Sequence, residues 1–106
     1  MSKVQRVALL SHPEGPVGLA ELPRIRAFCA EHPQVFHYEV EEAAQVGEAM
    51  RSIARIRPAL LAINGEPGTA KTALEALARF GAVLPPVAVI RDGKVDALRR
   101  LVERGG

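Results

Sequence analysis

The stretch Ala59–Ile63, ALLAI, constrains the fold of this chain more than any other feature, because it is apolar at every position. An extended segment with no polar face has to be covered on both sides, as the inner strands of parallel sheets are. The residues around it show a helical period instead. Before it, Ala43, Val46, Met50, Ile53 and Ala54 mark a helix from about Glu42 to Arg57 that Pro58 ends. After it, Ala73, Leu74, Leu77 and Phe80 fall on one helical face, with Gly81 as the expected stop.

The same alternation runs through the whole chain. Val7–Leu10 is an apolar run closed by the turn cluster SHPEGPVG. Leu22, Ile25, Phe28 and Cys29 predict a helix from Leu22 to Ala30, with Pro23 in its first turn. Val35–Val40 alternates, with Phe36, Tyr38 and Val40 on one face and Val35, His37 and Glu39 on a wetter one, as at a sheet edge. Pro86–Ile90 is a fourth strand, and Val95, Leu98, Leu101 and Val102 give a last helix. The order βαβαβαβα with short connections requires parallel strands and right-handed crossovers. The expected fold is α/β: one domain over residues 1–106, with a three-layer, doubly wound, four-stranded parallel sheet of flavodoxin-like order 2-1-3-4. In such a sheet ligands sit at the carboxyl ends of the strands, where the strand order reverses. That places SHPEGPVG beside NGEPGT.

Composition narrows the function classes. The 106 residues are 48% hydrophobic and 25% charged, with net charge +2. Fourteen basic against twelve acidic side chains and only 4% aromatic residues give no basic, aromatic-studded face, so nucleic acid is not an expected partner. The single cysteine, Cys29, allows no internal disulfide and lies on an apolar helical stripe, where it is expected to pack. A reducing cytoplasm fits that cysteine usage. No apolar run is long enough for a membrane span, and no secretory leader is expected from MSKVQRVALL.

Gly65-Glu66-Pro67-Gly68-Thr69-Ala70-Lys71-Thr72 meets seven of the eight positions of the phosphate-loop pattern G-x-x-x-x-G-K-[ST]. It resembles the GEPGTGKT form of the AAA+ ATPases. Backbone N–H groups at a helix start, followed by Lys and Thr, suit an anion. Ala70, however, adds a Cβ where that family has glycine, and the strand after it, PVAVI, does not end in the acid that would hold Mg²⁺. The plainer expectation is a turn made by Pro67 and Gly68, a helix capped by Thr69, and a solvated Lys71.

Two further resemblances fit the layout. Tyr38 to Asn64, PPVAVI and the closing LVERGG resemble the response-regulator receiver domain. That family uses an acidic pair after strand 1 and a phosphate-accepting Asp at the end of strand 3. Ser11, His12 and Asn64 stand in those places here, so the resemblance implies a receiver relative acting through binding alone. The second resemblance is to the N-terminal half of diacylglycerol-kinase-type lipid kinases. HPEG stands where they carry an NPxSG-like turn, GEPGT aligns without a gap to their GGDGT turn, and IRDGKVDALRRL loosely follows their next loop. Pro67 replaces the central Asp of that turn.

The expectation from these residues is a small cytoplasmic binding or regulatory module without catalysis, needing no cofactor or metal and working through a protein partner or a homodimer. The alternative is a phosphate- or nucleotide-binding domain using the Gly65–Thr72 turn, either on its own or as half of a split enzyme. Its anion site would draw on Ser11, His12, Asn64, Gly65, Gly68, Thr69 and Lys71, with Arg91, Asp92 and Lys94 near the same sheet edge. His12 near Glu14 and Glu66 could act as acid–base machinery, or only as a turn residue. His12, His32 and His37 lack zinc spacing. Arg51, Arg55 and Arg57, following the acidic Glu39–Glu48 stretch, are either a solvated helix face or a two-sided docking surface.

Overall fold

A computed structural model describes residues 6–13, 15–65, 67–81, 85–90 and 95–105. It contains β1 (Val7–Ser11), α1 (Gly15–Glu31), β2 (Val35–Glu39), a 3₁₀ turn (Ala43–Gln45), α2 (Val46–Ile56), β3 (Leu60–Asn64), α3 (Pro67–Arg79), β4 (Val87–Ile90) and α4 (Val95–Gly105). All strand pairs are parallel and the sheet order is β2-β1-β3-β4. The expected α/β class and strand order are therefore the observed ones.

Side chains alternate across the sheet and feed two cores. Ala8, Leu10, Leu61 and Ile63 pack with Met50 and Ile53 of α2 and Ala73 and Leu77 of α3. Val7, Leu9, Ala62 and Ile90 pack with Ile25 and Phe28 of α1 and Leu98 and Val102 of α4. Helices thus cover both faces, α2 with α3 and α1 with α4. All five residues of β1 are buried, as are four of the five in β3. The apolar run that opened the sequence reading is an inner strand for the reason given there.

One expectation fails at α1. The helix begins at Gly15, not Leu22, and absorbs most of the segment read as a turn cluster. Pro16 lies in its first turn, where no N–H has an acceptor within the helix, so proline costs nothing there. Pro23 consequently sits inside the helix rather than at its start. It removes a donor from the carbonyl of Leu19, but both residues are exposed, so water can take that bond.

The other helix ends follow local chemistry. Pro58 bars the α region to its predecessor, and Arg57 leaves α2 in the left-handed region at φ 49°. Gly81 stops the chain after α3 at φ 67°, as expected from the sequence. The 3₁₀ turn before α2 carries a reciprocal cap between Glu42 and Gln45.

Leu9 and Leu10 are both fully buried on opposite faces of β1. Leu9→Ala and Leu10→Ala should each destabilise the protein by roughly 2–5 kcal/mol in urea denaturation. A cost under about 1 kcal/mol for either would mean that the helices on that face do not form a packed layer.

Candidate functional site

The register aligns the carboxyl ends of the strands. Glu39, Ser11 and Asn64 are direct neighbours across β2, β1 and β3, and Ile90 follows on β4. Ile90 belongs to the core shared with α1 and α4, so this row lies on that side of the sheet. The strand order reverses between β1 and β3, and α1 and α3 both start close to those two tips, on opposite faces.

The backbone closes the rim. The His12 N–H donates to the Asn64 carbonyl at 2.8 Å, and the Val40 N–H donates to the Ser11 carbonyl at 2.9 Å. Gly65 eases the close approach. A Cβ there would lie 3.3 Å from Thr69 Cβ and 3.4 Å from the His12 carbonyl oxygen. Above it, the buried His12 ring meets Thr69, with Nδ1 and Oγ1 3.0 Å apart. The two turns anticipated as neighbours do meet, through these residues.

Several local expectations change. Pro67 and Gly68 are the first residues of α3 rather than a preceding turn, so Thr69 lies inside the helix and its hydroxyl serves His12 instead of capping. Thr72 bonds back to the Gly68 carbonyl at 3.0 Å, a use of its hydroxyl within its own helix. The methyl of Ala70 packs into the core with Ala73 and Leu77. The departure from the phosphate-loop pattern is thus a helix residue facing inward. Lys71 and Gly68 are exposed. Glu14, Glu66, Arg91, Asp92 and Lys94 lie outside the described residues.

Ser11 is engaged in a way the sequence reading missed. Its hydroxyl is fully buried and lies 2.7 Å from His37 Nε2. The other ring nitrogen of His37 faces Glu39 at 3.7 Å, and Glu39 accepts two bonds from Arg26 of α1, at 2.9 and 2.7 Å. The alternation of β2 had put His37 and Glu39 on one face. Ser11 sits in register with Glu39, and only the strand pairing reveals that these groups meet.

This chain of contacts has a defined electrostatic state. Burial lowers the His37 pKa, with Glu39 pulling the other way and Arg26 reinforcing the drop. The hydrogen bonds from Arg26 lower the Glu39 pKa, against its partial burial. Cys29 is not part of the site. Burial, and secondarily the Glu39 charge, push its thiol up to about 11, so it is protonated and unreactive at neutral pH.

Asn64 is the exception to this satisfaction. It is 3% exposed, and its Nδ2 has no hydrogen-bond partner among the described residues. A buried donor left unmet costs on the order of 1–3 kcal/mol. By contrast the amino end of α4 already meets a carboxylate oxygen of Glu21, 3.4 Å from the Val95 nitrogen. Among the described residues no group of His, Cys, Asp and Glu side chains could hold a metal ion. No described helix is long and apolar enough to cross a membrane.

No family model matches the chain, and neither does any curated protein. Solved structures do. A diacylglycerol kinase from Bacillus anthracis str. Sterne shares the fold with a TM-score of 0.64 and 22% identity, over 88% of this chain and 35% of that one. A second diacylglycerol kinase chain from the same organism gives 0.62 and 20%, over 87% of this chain and 32% of its own. The chain therefore spans about a third of either kinase. At these identities the likeness is one of fold.

His37 supplies a pH test. A base whose pKa is lowered by folding binds its proton more readily in the unfolded chain, so protonation favours unfolding. Its contribution is complete above the ordinary value of 6.5 and is lost as the pH falls from there toward the lowered folded value. Glu39 acts in the same direction but lower, below its ordinary 4.5. Urea denaturation between pH 7.5 and 5.5 should show a stability loss that His37→Gln reduces. An identical slope in the variant would contradict the buried, neutral imidazole.

Proposed function

We propose that this chain is a phosphate-binding α/β domain, equivalent to the N-terminal half of a diacylglycerol-kinase-type enzyme and acting with a further domain. The observation that carries this reading is the Asn64 amide, a buried donor without an acceptor among the described residues, at the point where the strand order reverses. A phosphate oxygen in the crevice between β1 and β3 would supply that acceptor. The amino-terminal turns of α1 and α3 flank the crevice and add backbone donors. Lys71, exposed on α3, is a mobile cation that can close over the anion.

His12, Gly65 and Thr69 act as the frame. They hold the start of α3 against the β1 tip, and a bulkier residue at Gly65 would separate the two. Ser11 is already committed to His37, so its part is to fix β2 beside the rim. The fold shared with two diacylglycerol kinases supports this reading, as does the resemblance of GEPGT to the GGDGT turn of that family.

Catalysis is not assigned to the chain alone. Pro67 stands where the resembling turn carries Asp, and the kinases with this fold are about three times as long. That substitution also favours a second reading, a regulatory module that binds a phosphate compound and signals through a partner.

Thermal unfolding in the presence of orthophosphate or MgATP tests the proposal. At ten times Kd the stabilisation is about 1.4 kcal/mol, a rise in Tm of roughly 5 °C or more for a domain of this size. Asn64→Asp, which places a carboxylate at the same point, should remove the rise, and Lys71→Ala should reduce it. Absence of any rise at millimolar ligand would refute the phosphate site.

A further inference from the structure

A second concave surface lies at the opposite, amino-terminal rim of the sheet. It is a groove of about 840 Å³ between the ends of α2 and α3 and the residues that lead into β3 and β4. Leu77, Pro58 and Pro86 line it with apolar atoms, and Arg51, Arg55 and Arg57 stand around it. Its size is that of a cleft for a small ligand or a short peptide.

Among the described residues the arginines have no acidic partner within ion-pair distance, and all three are exposed. Arg51 and Arg55 are one turn apart on α2. The Arg51 guanidinium lies 5.6 Å from the centre of the Phe80 ring, and that ring is 40% exposed at the groove. Cation–π contact and a planar fork hold the Arg51 guanidinium ready for a carboxylate.

We propose that this groove binds a short acidic peptide segment of a partner protein, with its carboxylates on Arg51, Arg55 and Arg57 and an apolar side chain against Phe80 and Leu77. The charge layout selects a short segment. Glu48, exposed in the first turn of α2, lies only about 4.5 Å along the helix axis from Arg51 at 1.5 Å per residue, and the exposed Glu41 and Glu42 precede the helix. A long polyanion such as nucleic acid would run from the arginines onto those carboxylates. The concave shape also sets the guanidiniums around a cleft rather than on a flat face that could lie on a lipid surface. A peptide with one apolar anchor between acidic residues meets both constraints, and arginine–aromatic surroundings are typical of the points that dominate peptide and protein binding.

The site is independent of the phosphate crevice, which lies at the other end of the strands. A random dodecapeptide display library, selected on the intact chain, tests it. Enrichment of Asp- and Glu-rich sequences carrying an aliphatic or aromatic residue is expected. A selected peptide made synthetically should lose at least about tenfold in affinity on the Arg51→Glu, Arg55→Glu double variant, since each lost charged hydrogen bond is substantial. Phe80→Ser should weaken it as well, while Asn64→Asp should not. Arg57→Gln serves as a milder charge variant should the double variant fail to fold. Failure to enrich acidic peptides would overturn the proposal, as would undiminished binding to the arginine variants. So would arginine-dependent binding of oligo(dT) or of phosphatidylserine vesicles without acidic-peptide binding.

Discussion

β1 carries hydrogen-bond ladders on both edges and apolar side chains on both faces, and everything else is placed by that double constraint. Its pairing with β2 on one side and β3 on the other makes the strand order reverse at its tip. Two helices on opposite faces then start beside the same point. The cross-links at the tip, from His12 to Asn64 and from Val40 to Ser11, are continuations of those ladders. A slip of β1 by one residue would send Leu9 and Leu10 to each other's cores and turn Ser11 to the other face.

The polar groups gathered at that rim differ in how far they are satisfied. Across α1, β2 and β1 the side chains of Arg26, Glu39, His37 and Ser11 form a chain in which each group meets the next, partly buried and anchored by a two-pronged guanidinium–carboxylate contact. On β3 the corresponding residue is an asparagine whose amide nitrogen meets nothing among the described residues. Buried polar atoms are nearly always paired in native proteins, which is why this amide carries the proposed phosphate site. The arginine groove stands at the far end of the same strands, so the two proposed sites do not overlap.

Much of this was legible in the sequence, and what was not has identifiable causes. ALLAI announced a strand covered on both faces, and the helix periods around it gave the layer arrangement and strand order. The helix stops at Pro58 and Gly81 were plain because each residue forbids or permits a particular backbone conformation. The start of α1 was misplaced because SHPEGPVG carries two glycines and two prolines, a turn composition, although proline in a first helical turn is equally favourable. Thr69 was read as a cap because Pro67 and Gly68 looked like a turn, when they are the first residues of α3. The tie between Ser11 and His37 depends on which strand lies beside which, and no local pattern encodes it. Asn64 was named from the sequence as a rim residue, but that its amide nitrogen meets no partner among the described residues depends on the same pairing.

The most direct test of the account follows the Asn64 side-chain amide itself. In a ¹⁵N–¹H correlation spectrum recorded while orthophosphate is titrated in, the two Asn64 Nδ2 protons should move downfield and saturate. The backbone amides of Gly68, Thr69 and Ala70 should move with them. If those resonances hold still while the spectrum otherwise shows a folded chain, the amide is not a phosphate donor and the rim is not a binding site.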